Sequence, residues 1–267
     1  INQGFSASKG IQSPAREAIG GIESRLEVDV KELKMAASRE GFLAIQDYSH
    51  MEGLSQDFAD AIVRGDLGTN AASFNGFHTR YNSLSETDDK GRLICQEYSG
   101  TGSDTMSILA IQWGPGQVYM VHPRGDQDNM GIQRIPVGVE RVTDRDGNAY
   151  CAYVVRYEWN GGLVVEDERC YRRICNIEAS GTTNNLQDSS NHGYVGPLID
   201  ALLSMKNQGR GAHLYMNIET YGQLWRAAND KVTTGDKDNI WKAPRLSFNE
   251  HTIGITDSLL LTETAVA

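Results

Sequence analysis

The chain has 267 residues, which is enough for one large domain or two closely packed lobes. Its composition, 39% hydrophobic and 22% charged, indicates a substantial core and argues against global disorder. The net charge of −10 and the lack of a long basic stripe disfavour tight, direct binding to nucleic acid.

The N-terminal part of the chain is predicted to form an arm followed by a strand. Residues 1–21 are rich in Ser, Gly and Gln and are typical of an extended arm or loop. Apolar residues then alternate with charged ones over 22–30, which predicts a strand with one apolar and one charged face. The charged face consists of Glu23, Arg25, Glu27 and Asp29. Beside the pair Gly20-Gly21, this pattern predicts an exposed hairpin whose apolar side needs a partner to cover it.

A long helix is predicted from Ser38 to Arg64, because apolar residues recur there at three- and four-residue steps. Ser38 is a candidate start of the helix, and Gly65 is predicted as the glycine that terminates it. The apolar stripe drifts around the helix axis. Such a stripe suits either a long helix that contacts different neighbours along its length or an ordinary core helix.

The middle of the chain is predicted to be rich in antiparallel strands, and the last third mixes helices with strands. The central strands are predicted over 107–113, 117–122, 137–143, 149–159 and 163–177, with turns at 114–116, 146–147 and 160–162. The later elements are a helix over 195–206, a strand over 213–216, a helix capped by Asn217 and a strand over 251–262. The fold class predicted is therefore α+β.

The sequence contains no catalytic, cofactor-binding or metal-binding motif that we would assign. The segment 100–104 lacks the endings of phosphate-binding loops, and a strand is predicted to follow it where a helix is needed. Asp126 and Asp128 begin like a calcium loop, but Val137 occupies the position of the required Glu. We therefore expect no enzyme activity and no cofactor.

The cysteines are predicted to be reduced structural residues, since no CxxC pair or zinc-finger spacing occurs. They are Cys95, Cys151, Cys170 and Cys175. No apolar run approaches the roughly 20 residues that span a bilayer, so no membrane association is expected. Because the chain begins with Ile1, we expect either processing or a missing upstream segment.

A dense group of opposite charges lies near residue 170. If 163–177 is a strand, Asp167, Arg169 and Arg173 share one face, because their spacings are even. Such a row could pair with charges across strands or between subunits. The alternative is a solvated face whose pairs contribute only about 0–1 kcal/mol each.

Around this group the chain resembles the epsilon-fifteen-type major capsid proteins of tailed bacteriophages. The segment 159–177, WNGGLVVEDERCYRRICNI, has the family's Trp, Gly-Leu, Asp-x-Arg and Arg-Ile-x-Asn-Ile at the same spacing. Further similar motifs follow the family's order. They are FNGFHTRYN at 74–82, GTGSD at 100–104, Trp113-Gly114, His122-Pro123-x-Gly125, Tyr215-Met216-Asn217 and the ending DSLLLTET at 257–264. The chain departs from the family at Arg64-Gly65-Asp66, where an aromatic-Gly-Asn step is usual.

The resemblance implies a Hong Kong 97 type capsid fold. The segments expected from it are an N-terminal arm over 1–10, an extended hairpin loop over 11–35, a peripheral domain over 36–107 with its spine helix at 38–64, the first part of an axial domain over 108–160, a peripheral return strand over 161–180, the second axial part over 181–245 and a C-terminal peripheral strand over 246–267. The subunit-contact candidates are the four charges of the first strand together with Asp167, Arg169 and Arg173.

The function implied by the resemblance is assembly. Copies are expected to form hexamers and pentamers of an icosahedral head that encloses double-stranded DNA without sequence-specific binding. Scaffolding, portal and decoration proteins are the other expected partners, and the protein is expected in the virion after assembly in the host cytoplasm. The alternatives are an encapsulin-like nanocompartment shell protein and a soluble hydrolase or binding module.

Overall fold

The computed structural model describes residues 14–124, 131–178, 186, 196–229 and 251–267. Several sequence-based expectations lie outside these residues. They are the arm over 1–10, the start of the hairpin at 11–13, Asp126 and Asp128, Gly125, the start of the helix at 195 and the segment 246–250. Of residues 227–229 only the backbone is described.

The described residues form nine strands and five helices. In chain order they are β1 Gly20–Asp29, α1 Val30–Met35, α2 Arg39–Arg64, α3 Phe77–Arg80, β2 Cys95–Glu97, β3 Thr105–Ile111, β4 Val118–Val121, β5 Gln133–Thr143, β6 Ala149–Val165, β7 Tyr171–Glu178, α4 Gly196–Ser204, β8 His213–Met216, α5 Ile218–Asn229 and β9 Thr252–Ile255. Short 3-10 turns at Glu168–Cys170 and Lys206–Gly209 complete the list. The predicted final strand over 251–262 is thus shorter than expected.

The first sheet is built around the long strand β6. β1 pairs antiparallel with one edge of β6, from Gly20 opposite Gly161 to Asp29 opposite Ala152. β5 and β4 pair with its other edge, and β5 joins β6 through the predicted turn at 146–147. α2 packs on one face of this sheet, where Leu26, Leu54 and Tyr157 are buried together.

The expectation of a hairpin over 11–35 is wrong for residues 14–35, which contain one strand followed by the short helix α1. The apolar side of β1 is not open for a partner either. Leu26 and Val28 are buried beneath α2 of the same chain. An alternating pattern shows that a strand has an apolar face, but it does not show which element covers that face.

Helix α2 begins and ends almost where the sequence predicts. Ser38 Oγ accepts a hydrogen bond from the Gly41 amide at 3.2 Å and caps the first turn. Gly65 ends the helix, but its φ of −52° is not left-handed. The backbone carbonyls of Ala61 and Phe74 leave no room for a Cβ at Gly65, and this close approach explains the glycine. The apolar stripe divides, since Leu54 and Phe58 are buried while Ile45 and Tyr48 are exposed.

The second sheet has five strands in the order β2-β7-β3-β8-β9. Every residue of β3 is buried, because the sheet is covered on both faces. Ile108 and Ala110 pack with α4 and α5 on one side. Leu109 and Ile111 pack with α3 and the end of α2 on the other. The near-continuous apolar run of β3 is the pattern expected of such a doubly covered strand.

The predicted turn at 160–162 does not exist, because β6 continues through it to Val165. A Cβ on Gly161 would lie 2.8 Å from the ring of Phe58, and one on Gly162 would lie 2.6 Å from the Ala18 carbonyl oxygen. The two glycines therefore permit close packing instead of a turn. The strand ends at Val165, and a turn over 166–170 separates it from β7. The single strand predicted over 163–177 is therefore wrong.

Two predicted domain boundaries, 107/108 and 160/161, fall inside strands β3 and β6. Residues 133–160, expected in the axial domain, instead share a sheet with β1 beneath α2.

Three cysteines are buried as predicted, whereas Cys151 is exposed because it lies near the hairpin end of β6.

Candidate subunit-contact surfaces

The face of the first sheet that points away from α2 carries a cluster of charged side chains, here called the outer sheet face. It is defined by Glu23, Arg25, Glu27, Glu140, Arg156 and Glu158. Alternate residues of a strand point to one side, and the register places Glu23 opposite Glu158 and Arg25 opposite Arg156. β1 and the distant pair of consecutive strands β5 and β6 thus contribute to one surface.

Two guanidinium groups organise the outer sheet face. Arg25 contacts Glu27 and Glu140, with nitrogen–oxygen distances of 2.9 Å to each. Arg156 lies 2.9 Å from Glu23 and 3.0 Å from Glu158. Both arginines are about half exposed, so each pair contributes only about 0–1 kcal/mol to folding. Four carboxylates against two guanidiniums leave this surface acidic.

Asp29 has a separate role at the end of β1. Its carboxylate accepts a hydrogen bond from the Lys31 amide at 2.7 Å and caps helix α1. The carboxylate satisfies an amide that has no partner within the helix, and it also favours the positive end of the helix dipole. Of the four charges predicted on this strand, three therefore lie in the cross-strand network and one fixes the entry to α1.

Asp167 and Arg169 form a compact unit in the turn between β6 and β7. Asp167 accepts hydrogen bonds from Arg169 Nε at 2.8 Å and Nη2 at 2.7 Å, and from Lys206 Nζ at 2.9 Å. The hydrogen bonds from Arg169, with further help from Lys206, hold the pKa of Asp167 far below its usual range. The carboxylate stays ionised, and the partly exposed Arg169 side chain presents a fixed cation at the surface.

Arg173 is not a surface residue, and this corrects the predicted row of three charges. Because a turn at 166–170 interrupts the predicted strand, Arg173 lies on β7, where it is only 4% exposed. Its guanidinium lies 3.0 Å from Glu263, 3.2 Å from Ser107 Oγ and 3.0 Å from the Tyr81 carbonyl. All of these partners belong to the same chain. Arg173 therefore ties the interior of the subunit together and has no surface from which to contact a neighbour.

The neighbouring Arg172 is buried in the same way and pairs with Asp88 at 2.6 Å. Neither Asp88 nor Glu263 is recognisable from the sequence as a partner of these arginines. They lie 84 and 90 residues from their arginines, and no local signal links them. A buried charge that loses its partner is costly, so both pairs are important for folding.

His78 and Glu263 adjoin Arg173 in this interior cluster, with His78 Nδ1 3.9 Å from Glu263 Oε1. Burial, followed by the positive charges of Arg173 and Arg64, lowers the pKa of His78 to about 2. Burial raises the pKa of Glu263, although Arg173 opposes the shift. The histidine is therefore neutral at ordinary pH, and it lies within the packed interior.

Neither a group of side chains suited to a metal ion nor a membrane-spanning helix is found within the described part of the chain. No three His, Cys, Asp or Glu side chains there are grouped so as to hold a metal ion. None of the helices found there is both long enough and apolar enough to cross a membrane.

Comparison with solved structures gives the class of the fold. A chain from the near-atomic-resolution cryo-EM structure of bacteriophage epsilon15 matches with a TM-score of 0.68. The match covers 99% of this chain and 79% of that chain, and the two sequences are 19% identical. The fold is therefore that of a bacteriophage virion chain, as the sequence resemblance implied.

The family model of the major capsid protein GP7 matches residues 1–267, the whole chain. The chain belongs to this family of major capsid proteins, and its function is to form a capsid shell. The virion is the corresponding location. A search of curated proteins finds no match.

Proposed function

We propose that copies of this chain associate into hexamers and pentamers, which close into an icosahedral head around a double-stranded DNA genome. The whole-chain match to a major capsid protein family carries this proposal. Contacts between unlike surfaces of identical subunits generate rings, which is what capsomers require. The protein acts as a structural component and not as an enzyme. Its assembly takes place in the host cytoplasm with scaffolding, portal and decoration proteins as partners.

Within the subunit we assign the first sheet and α2 to the peripheral domain and the second sheet with α4 and α5 to the axial domain. The grouping of buried side chains supports this assignment, because Leu54 of α2 packs on the first sheet while α4 and α5 pack on the second; the end of α2 also contacts the second sheet. DNA would be enclosed without tight binding, in keeping with the acidic net charge of −10.

Expression of the chain followed by sedimentation and electron microscopy tests the proposal. We expect particles of megadalton mass with a closed outline, since obligate interfaces bury about 2,000 Å² or more and hold subunits together. A monomer or small oligomer at all concentrations would contradict shell formation. Terminase and portal genes beside the coding sequence, instead of a cargo-enzyme gene, distinguish a phage head from an encapsulin-like shell.

The outer sheet face and the Asp167–Arg169 turn are the proposed charged contacts between subunits. We expect Arg25→Glu and Arg169→Glu to reduce the yield of particles while the circular dichroism spectrum stays unchanged. The fold should tolerate the first change, because the exposed pairs of Arg25 contribute little. Lys90→Glu, at another exposed position, is the matched control. Normal particles from both arginine variants would refute this contact assignment.

A further inference from the structure

An open groove runs between the C-terminal half of α2 and the segment 255–258. It has a volume of about 520 Å³ and continues into a smaller cavity of about 250 Å³. Ala59, Ile255 and Thr256 line both parts, so the two form one continuous surface, here called the α2 groove. Aromatic and aliphatic side chains such as Phe77 and Trp113 line the inner part.

The outer part of the α2 groove is acidic. Glu52, Asp60 and Asp257 line it, and no Lys or Arg of the described residues does. Because Asp60 already pairs with Arg64 on the same helix, Glu52 and Asp257 are the carboxylates best placed to attract a cation. An apolar floor behind an acidic opening selects an apolar side chain that is flanked by positive charge.

Exposed apolar side chains extend this surface along α2. Ile45 is 70% exposed and Tyr48 is 68% exposed. They lie seven and four residues before Glu52, so all three share one side of the helix. Exposed apolar side chains that extend a groove with an apolar floor mark a surface that a partner covers.

One element of this chain has the complementary chemistry. Met35 at the end of α1 is 83% exposed, the highest value among the large hydrophobic side chains that the structure describes. Lys31 lies four residues earlier on the same side of α1, opposite the buried Leu33, and Lys34 lies beside it. Glu32 lies on the other flank. α1 therefore presents a flexible apolar side chain that has both lysines on one flank and Glu32 on the other.

We propose that Met35 of one copy inserts into the α2 groove of the next copy, with Lys31 and Lys34 near Glu52 and Asp257. The contact cannot form within one subunit, because α2 begins at Arg39 and thirteen residues of rigid helix, about 20 Å, separate it from Glu52. It is a contact between unlike surfaces and therefore builds rings or chains of copies. This inference rests on the proposed function and names a contact that shell assembly uses.

Cross-linking between copies tests the contact. Met35→Cys and Ser55→Cys are combined in one chain, with Cys151→Ser to remove the exposed native thiol. Ser55 is exposed and lines the groove, so its replacement spares the core. A short bis-maleimide reagent should join subunits of assembled particles into covalent multimers on denaturing gels. Each variant that carries only one of the two introduced cysteines should stay monomeric on the same gels.

The control pair is Met35→Cys with Leu93→Cys, since Leu93 is exposed beside β2 at the opposite edge of the second sheet from β9. It should give no multimers. Particles that form normally without cross-links through Ser55 overturn the inference and leave the proposed function intact. A Cys151→Ser chain that forms no particles would instead count against the proposed function.

A charge exchange tests the same contact with Met35 retained. We expect Lys34→Glu and Glu52→Lys each to raise the protein concentration needed for assembly about tenfold, because each turns an attraction into a repulsion. The double variant should return to within about threefold of the wild type. A double variant that is as impaired as the sum of the two single variants would overturn the inference.

Discussion

At the scale of single residues, the buried charges of β7 are important for folding. Arg172 and Arg173 are both enclosed, and each reaches a carboxylate of a distant segment. Removing one member of such a pair leaves an unpaired charge in the interior, which costs about 3–5 kcal/mol. The sequence shows two adjacent arginines, but it does not show that Asp88 and Glu263 meet them, so exposure was the natural expectation.

His78 should make the fold sensitive to acid. Its pKa falls from 6.5 to about 2 on folding, so its contribution to stability is present above pH 6.5 and is lost as the pH falls toward 2. At pH 5.5 the loss is about 1 kcal/mol relative to neutral pH. We expect His78→Gln to remove this part of the pH dependence, as measured by denaturant unfolding between pH 7.5 and pH 5.5.

The contribution of Glu263 to stability has the opposite pH dependence. Its raised pKa favours protonation in the folded chain, so its contribution grows as the pH approaches 4.5 and is smaller at higher pH. Comparison of the variant with the wild type at each pH isolates the histidine, since both retain Glu263. Equal losses of stability in the two proteins between pH 7.5 and pH 5.5 would show that His78 is not the group responsible.

At the scale of elements, α2 and β6 show what local patterns do and do not predict. The bounds of α2 follow from a capping serine and an apolar period, both of which act within a few residues. The two glycines of β6 predict a turn when only the sequence is considered, but in the fold they permit close packing against Phe58 and Ala18. A glycine pair has the same appearance in a sequence whether it bends the chain or makes room for a neighbour.

Gly161 and Gly53 form a matched pair for testing this interpretation. Gly161→Ala should destabilise the protein by about 1–3 kcal/mol, because its methyl group meets the Phe58 ring, which is stacked on Trp159. Gly53→Ala lies inside α2 with open space around it and should stabilise by up to about 1 kcal/mol. Thermal unfolding of both variants gives the sign, and a Gly161→Ala protein as stable as wild type would favour a flexible bend there.

At the scale of the whole molecule, the last residues complete the fold. Leu259 is fully buried, and Glu263 exchanges backbone hydrogen bonds with Thr105 at 3.0 and 3.2 Å. The side chain of Asn176 donates to the Val266 carbonyl and accepts from its amide. The C-terminal segment therefore holds β3 and β7 in place, and the second sheet depends on residues far along the chain.

Deletion of residues 257–267 should abolish soluble folding. It leaves Arg173 buried without Glu263, a loss of about 3–5 kcal/mol, and it also exposes the site of Leu259. A domain has only about 5–15 kcal/mol of stability in total. Deletion of Ala267 alone removes only the hydrogen bonds that its carbonyl accepts from the Leu84 amide and Ser83 Oγ, and it should be tolerated. A soluble, cooperatively unfolding product of the longer deletion would contradict this account.

The sequence by itself determined the α+β class, the long helix, the alternation of β1 and the ordered motifs that identify a capsid protein. These features depend on residues close together in the chain or on motif order. The tertiary structure decided which sheet each strand joins, what covers β1, that β6 ends in a turn after Val165 and which charges are interior. Those outcomes depend on contacts such as Arg173 with Glu263, 90 residues apart, and only the folded chain brings such residues together.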